Sequence, residues 1–169
     1  MKIIEGLKQI KDLQRKAEDL RTKISQHSAY LSLETPVYAD QKRQVAEWLQ
    51  AHSDILKEIC RLRVAIQKTN ISTTVVIELD GKAVTKTIAE WIHRRRDLAT
   101  FEMDAWRKLT DRGLKEGFSN SSTGVPLEIK IVRCYDPAER DKKVSALSSE
   151  PTIIDSKLEI VNAVTDLIE

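Results

Sequence analysis

Between Val45 and Ile66 the chain places Val45, Trp48, His52, Ile55, Ile59, Leu62 and Ile66 at unbroken steps of three and four. Such a run keeps one face of an α-helix apolar for three heptads, and a lone helix has nothing to bury that face against. The segment must therefore pair with another helix. The simplest partner is Lys2 to about His27, which has no Pro and sets Ile3, Leu7, Ile10, Leu13, Ala17, Leu20 and Ile24 on a narrow stripe. Within that stripe the consecutive three-residue steps from Leu7 to Leu13 fall one residue short of a strict heptad and would locally overwind a supercoil. The pattern predicts an antiparallel hairpin of helices at about 2–27 and 41–69, joined near Leu33 to Asp40, with Thr35 and Pro36 suited to N-cap and N1.

Beyond Asn70 the periodicity changes. Ile71 to Leu79 is rich in Val, Ile and Thr, and Asp80-Gly81 followed by Lys82-Ala83-Val84 reads as a hairpin turn, so strands are expected at about 71–79 and 82–85. Thr87 and Glu90 have capping-box spacing, and a helix at about 87–113 follows. Its apolar residues form two stripes, Trp91, Leu98, Ala105, Leu109 and Ile88, Ile92, Ala99, Met103, Trp106, a face wide enough for two neighbours. The stretch FSNSSTGV, Phe118 to Val125, reads as an exposed loop, and alternation from Pro126 to Tyr135 as a strand at about 126–135. This strand can pair with the earlier one and fasten the helix ends together. Asp136-Pro137 and Glu139 start a last helix at about 137–167, which Pro151 either kinks or divides. Ile66, Asn70, Thr74, Val75 and Leu158, Asn162, Asp166, Leu167 form a weak internal repeat whose Asn residues suit helix closure in the left-handed region or a local backbone hydrogen bond.

Composition agrees with long helices. Charged residues make up 32% and aromatics 5%, with only 5 Gly and 4 Pro among 169 residues, too few for a fold of many short strands and tight turns. A single helical domain spanning 1–169, mainly α with a small β element (α+β), is the expected architecture. The net charge of +2 supplies no global field toward nucleic acid or an anionic membrane. Cys60 and Cys134 lack metal or redox-motif spacing; two reduced, packed thiols are favoured, with a single disulfide as the alternative. The N-terminal MKIIEGLKQIKDLQRK has no uninterrupted apolar core of the signal-peptide kind, and no run approaches a spanning helix, so a cytoplasmic (intracellular) location is expected.

Candidate chemistry is sparse. His52 falls on the heptad seam, where a packed or edge-exposed imidazole is favoured over a ligand or pH switch because no second His, Cys or carboxylate cluster accompanies it. The run Arg94, Arg95, Arg96 is a possible basic patch for phosphate, nucleic acid or lipid head groups, but Asp97, Glu102 and Asp104 follow closely and favour an ion-paired helix face. Arg95 and Glu102 lie one heptad apart and suit a register-fixing pair. Ser119 to Thr123 offers hydroxyls without P-loop spacing, and the carboxylates form no metal-binding helix motif. No catalytic residue, cofactor or metal is expected.

The segments GLKQIKDLQRKAEDLRTKI, IQKTNISTTV, TIAEWIHRRRDL, IKIVRCYDPAE and IDSKLEIVNAVTDL, in that order, resemble the small bacterial and phage-borne helical proteins called septicolysins. The resemblance covers most of the chain. It implies a helical hairpin with a small strand element, assembly into rings or other homo-oligomers, and, through the family's label, a pore-forming haemolysin. Pro151 and Ala163 depart from that pattern, where a continuous helix and an aromatic after the Asn are usual. The expected function is a non-enzymatic oligomeric structural or assembly protein, with a bacteriophage virion component, in capsid decoration or at the head-to-tail region, as its specific form. The alternatives are a pore-forming haemolysin-like protein, for which 32% charged residues make insertion costly, and a basic-patch nucleic-acid binder. Expected partners are further copies or a larger protein assembly, rather than nucleic acid or membrane. The seam residues Val45, Trp48, His52, Ile55, Ile59, Leu62 and Ile66 are the expected interaction residues.

Overall fold

A computed structural model describes residues 1–168. The chain is mainly helical with a small β element, in the order α1 (Ile3–His27), α2 (Gln41–Ser72), β1 (Thr74–Leu79), β2 (Lys82–Thr87), α3 (Ile88–His93), a π-helical turn (Arg94–Leu98), α4 (Ala99–Arg107), β3 (Gly117–Asn120), β4 (Pro126–Ile129) and α5 (Pro137–Val164). The chain divides into two compact units. The first comprises Met1–Val75, Thr87–Ala89 and Leu158–Glu169, the second Val76–Lys86 and Glu90–Lys157.

In the first unit α1 and α2 form the antiparallel hairpin, and its core is Ile10 against Ile59, Leu62 and Ile66, with Leu13, Ile55 and Leu167 packed alongside. Leu7, on the short-stepped part of the α1 stripe, is exposed, as a three-residue step rotates it off the seam. The connection runs to Asp40 and α2 starts at Gln41, but Thr35 and Pro36 do not cap it. Asp40 takes the cap, accepting the Arg43 N–H at 2.9 Å, because Tyr38 is committed to ring packing and Gln41 to the loop. Buried Gln41 donates to the His27 carbonyl (2.9 Å) and accepts from the Val37 N–H (3.2 Å), tying the end of α1 to the start of α2.

The two ends of the chain meet in this unit. Ile3 N–H donates to the Thr165 carbonyl (3.0 Å) and Leu167 N–H to the Met1 carbonyl (2.8 Å). Lys2 Nζ reaches the Val164 carbonyl (2.8 Å) and Asp166 Oδ2 (2.7 Å), and holds the Asp166 carboxyl below its ordinary 3.8. Ile168 N–H donates to the buried Thr69 hydroxyl (2.9 Å), which itself donates to the Ala65 carbonyl. Gly6 is buried where Leu167 comes down on α1; a Cβ there would stand 2.9 Å from Leu167 Cδ1. Neither Asn70 nor Asn162 closes a helix in the left-handed region, which among the described non-glycine residues holds only Asp80 and Arg112. Both Asn residues lie inside helices, and buried Asn70 Oδ1 has no hydrogen-bond partner among the described residues.

In the second unit Ile77, Trp91, Ala99, Met103, Leu147 and Ile154 are buried. The helical stretch after β2 stops at Arg107 rather than near Gly113, and β4 ends at Ile129 rather than Tyr135. β4 pairs antiparallel with β3, which occupies the first half of the expected loop, in the register Gly117↔Ile129 to Asn120↔Pro126. The two strand regions do not pair with each other: one two-stranded sheet is β1-β2 and the other β3-β4. Short closures cost less chain entropy than joining segments some forty residues apart, so each strand takes its neighbour. The segment after β4 is anchored by Asp111, which receives Arg133 through two bonds (2.7 and 2.6 Å) and the Tyr135 hydroxyl (3.1 Å). α5 passes through Pro151 as one helix, forgoing the bond an N–H there would give the Leu147 carbonyl.

Candidate interaction site

The seam residues all lie on α2, and their burial is graded. Ile59, Leu62 and Ile66 are buried beside Ile10, whereas Val45, Trp48, His52 and Ile55 are half-buried. Two helices alone cannot surround an apolar side chain, so the hairpin covers its seam fully only where Leu167 adds a third contact. Toward the other end Trp48 packs with Tyr38 (ring centroids 5.3 Å apart, edge-on) and His27 (5.6 Å), and His27 meets Tyr38 at 5.3 Å. His52 lines a shallow groove with Glu18, Arg21, Ser25 and Leu49, a packing position on the seam. In the loop beyond the aromatic trio Tyr30, Leu31, Leu33 and Val37 are exposed, Leu33 by 99%.

In the second unit the three arginines occupy the π-helical turn. Arg94 forks onto buried Glu150 with bonds of 2.5 and 2.9 Å and reaches Glu102 at 2.6 Å. These carboxylates, Glu150 first, hold the guanidinium above its ordinary range. Arg95 pairs with Asp155, and Arg96 with Asp97 (3.4 Å) and His93 Nδ1 (3.1 Å). The heptad pair Arg95 and Glu102 is therefore corrected to Arg94 and Glu102. A π turn closes i→i+5 bonds and takes in one residue more than an α turn, so two turns here span eight residues instead of seven. The same insertion carries the buried face from Trp91 to Ala99 and leaves Leu98 exposed. The basic patch likewise resolves into three arginines each facing an acid.

Arg94, Glu102 and Glu150 line a cleft of about 350 Å³ with Lys82, Lys143 and Leu147. Of the acids that line it, Glu102 and Glu150 are engaged by Arg94, and Asp80 sits at the β1–β2 turn. Among the described residues no group of three or more His, Cys, Asp or Glu is placed to hold a metal ion, and no helix is long and apolar enough to cross a membrane. Cys60 and Cys134 are unbonded as expected, but exposed rather than packed.

A family profile matches residues 10–167, nearly the whole of the hairpin, sheets and final helix just described. The chain belongs to the family of unknown function DUF6847. No curated protein matches it. Among solved structures, the crystal structure of a functionally unknown conserved protein from Corynebacterium diphtheriae is similar at 23% identity, with a TM-score of 0.57 over 99% of each chain. That likeness establishes a shared fold for this DUF6847 chain.

The aromatic trio and the Arg94–Glu150 fork were beyond the sequence reading. His27 and Tyr38 are joined by a loop whose path no periodicity encodes, and Glu150 lies fifty-six residues from Arg94. The one available signal was Glu150 itself, a carboxylate flanked by Leu147 and Ile154 at helical core spacing.

Proposed function

We propose that the chain is a non-catalytic assembly component that acts through its α1–α2 hairpin, in contacts among copies of itself. One observation carries this reading: the hairpin displays apolar side chains that its own two helices do not cover, from half-buried Val45, Trp48 and Ile55 to exposed Leu31, Leu33, Leu49 and Leu56. In a chain with 32% charged residues, apolar side chains left open along a helical hairpin and its loop suit a contact surface. A role in a bacteriophage virion, in capsid decoration or at the head-to-tail region, is the specific form of this proposal and rests on the septicolysin resemblance alone.

The test is the absolute mass of the full chain by light scattering after size exclusion, at several concentrations and two ionic strengths. A defined multiple of 19.3 kDa at both ionic strengths is expected. A 19.3 kDa species at every concentration would refute self-assembly. The pore-forming alternative draws on exposed Leu31, Leu33 and Val37 in one loop, and it predicts vesicle leakage that Leu33→Asp abolishes. The nucleic-acid alternative has no such support, because Arg94, Arg95 and Arg96 are each matched by a carboxylate.

A further inference from the structure

Three walls of the second unit border the cleft of about 350 Å³ onto which Arg94 opens. They are the β1–β2 hairpin with Asp80, Lys82 and Val84, the π turn and α4 with Arg94 and Glu102, and α5. Lys82 and Val84, two residues apart, share one face of β2. Lys143, Leu147, Glu150 and Ile153, at steps of four, three and three, share one side of α5. The volume falls within the range of small-molecule sites, about 300–1,000 Å³.

Two costly features meet at this cleft. A buried ion pair such as Arg94–Glu150 is often no more stabilising than apolar residues in its place, and π turns are rare and recur at functional sites. The fork ties the π turn to α5, which fixes two of the three walls and leaves the hollow between them preformed.

The charges of the lining indicate what would fill it. Arg94, Glu102 and Glu150 satisfy one another. Lys82, Lys143 and Asp80 form no ion pair or hydrogen bond among the described residues. With three cations and three acids the lining is balanced, so it offers no net field to a simple anion or cation. A molecule carrying both signs gains at both ends. The apolar part of the lining is aliphatic, with Leu79, Val84, Leu147 and Ile153, and holds no aromatic ring. We infer that the cleft binds a free amino acid with an aliphatic side chain. Lys82 and Lys143 receive its carboxylate, Asp80 its ammonium, and Leu147 and Ile153 its side chain. The cleft lies wholly within the second unit, so this binding stands apart from self-assembly through the hairpin.

The test is a titration of the full chain, with its Ile, Leu and Val methyls labelled for NMR, by L-leucine, L-isoleucine and L-valine. The amide of each, which lacks the carboxylate, and its deamino acid, which lacks the ammonium, are titrated alongside. Saturable shifts are expected at Val84, Leu147 and Ile153, with Leu62 in the hairpin core unmoved. Both analogues should bind about tenfold or more weakly than the amino acid, because each forfeits a charge-assisted hydrogen bond. Lys143→Ala should weaken the amino acid by a similar factor and leave its amide unchanged. Asp80→Asn, which keeps a residue tolerant of the φ of 49°, should weaken the amino acid and leave the deamino acid unchanged. Lys82→Ala, at an exposed position, repeats the carboxylate test without touching α5. No methyl shift with any of the three amino acids would overturn the site. An analogue that binds as tightly as its amino acid would overturn the two-signed ligand, and affinity unmoved by both Lys143→Ala and Lys82→Ala would overturn the carboxylate's seat.

Discussion

Truncating Glu150 tests whether the Arg94 fork fastens the second unit. Glu150 is 6% exposed, and its carboxylate takes both arms of a guanidinium whose side chain is 22% exposed. Removing one member of a buried pair leaves the other desolvated without its charge partner, at a cost of about 3–5 kcal/mol. Glu102 remains as a second partner for Arg94 but is half-exposed, so it recovers only part of that cost. Glu150→Ala should therefore destabilise the unit by about 2–3 kcal/mol, and Glu102→Ala by less than about 1 kcal/mol. At about 2–4 °C per kcal/mol for a chain of this size, the first variant should melt roughly 5–10 °C lower and the second within a few degrees of the parent. Circular dichroism melts give the shift, and amide exchange on α4 and the middle of α5 assigns it to this unit. Replacing both partners by apolar residues, Arg94→Met with Glu150→Leu, should recover most of the loss, because two desolvated charges are removed together. Equal effects of Glu150→Ala and Glu102→Ala, or a double replacement no better than Glu150→Ala, would show that the fork is not what holds these helices.

Other outcomes follow from the same contacts. Ile59→Asp puts a carboxylate at a 6% exposed position in the hairpin core and should cost about 4 kcal/mol or more, read as lost helicity or dispersed multimers; a folded protein of parental size would refute the account of the seam. The Asp166 carboxyl is held below 3.8 by Lys2, so its contribution is complete above 3.8 and is lost as pH falls through the lowered value. Amide protection of Ile3 and Leu167 should accordingly drop in that acid window, and Asp166→Asn should abolish the pH dependence; protection that still titrates in the variant would assign it elsewhere. Gln41→Ala, which removes both side-chain bonds across the hairpin turn, should lower stability by about 1–2 kcal/mol and raise exchange at Val37, whereas an unchanged Val37 rate would deny Gln41 that role.

The hairpin was legible because its code is periodic: seven residues at alternating three- and four-residue steps specify a helix, a face and the need for a partner. Asp80-Gly81, with both residues at positive φ, was legible for a similar reason, since few residues adopt that turn. What escaped notice depends on contacts that no local pattern carries. Thr35 and Pro36 have good capping chemistry, yet Tyr38 packs on His27 and Trp48, and the cap of the helix that starts at Gln41 falls to Asp40. Two strand regions with similar composition gave no information on which pairs with which, and chain connectivity decided it. The arginine run was read correctly as ion-paired but with the wrong register, because a π turn leaves no compositional trace.

That turn also makes the helix tolerant of one residue of length. A π turn is a one-residue insertion held in place, and excising one residue from Arg94–Leu98 would return the segment to uniform α geometry. Because the wider turn absorbs the extra residue, Ala99 to Arg107 would keep their angular position relative to the residues before it. Deleting exposed Arg96 would shorten the Arg94 to Glu102 and the Trp91 to Ala99 intervals together from eight residues to seven, and a heptad keeps each pair on one face of an unbroken helix. A lineage that gained or lost a residue at this place would thus retain both the ion pair and the apolar face, and the difference would be confined to the backbone of the turn.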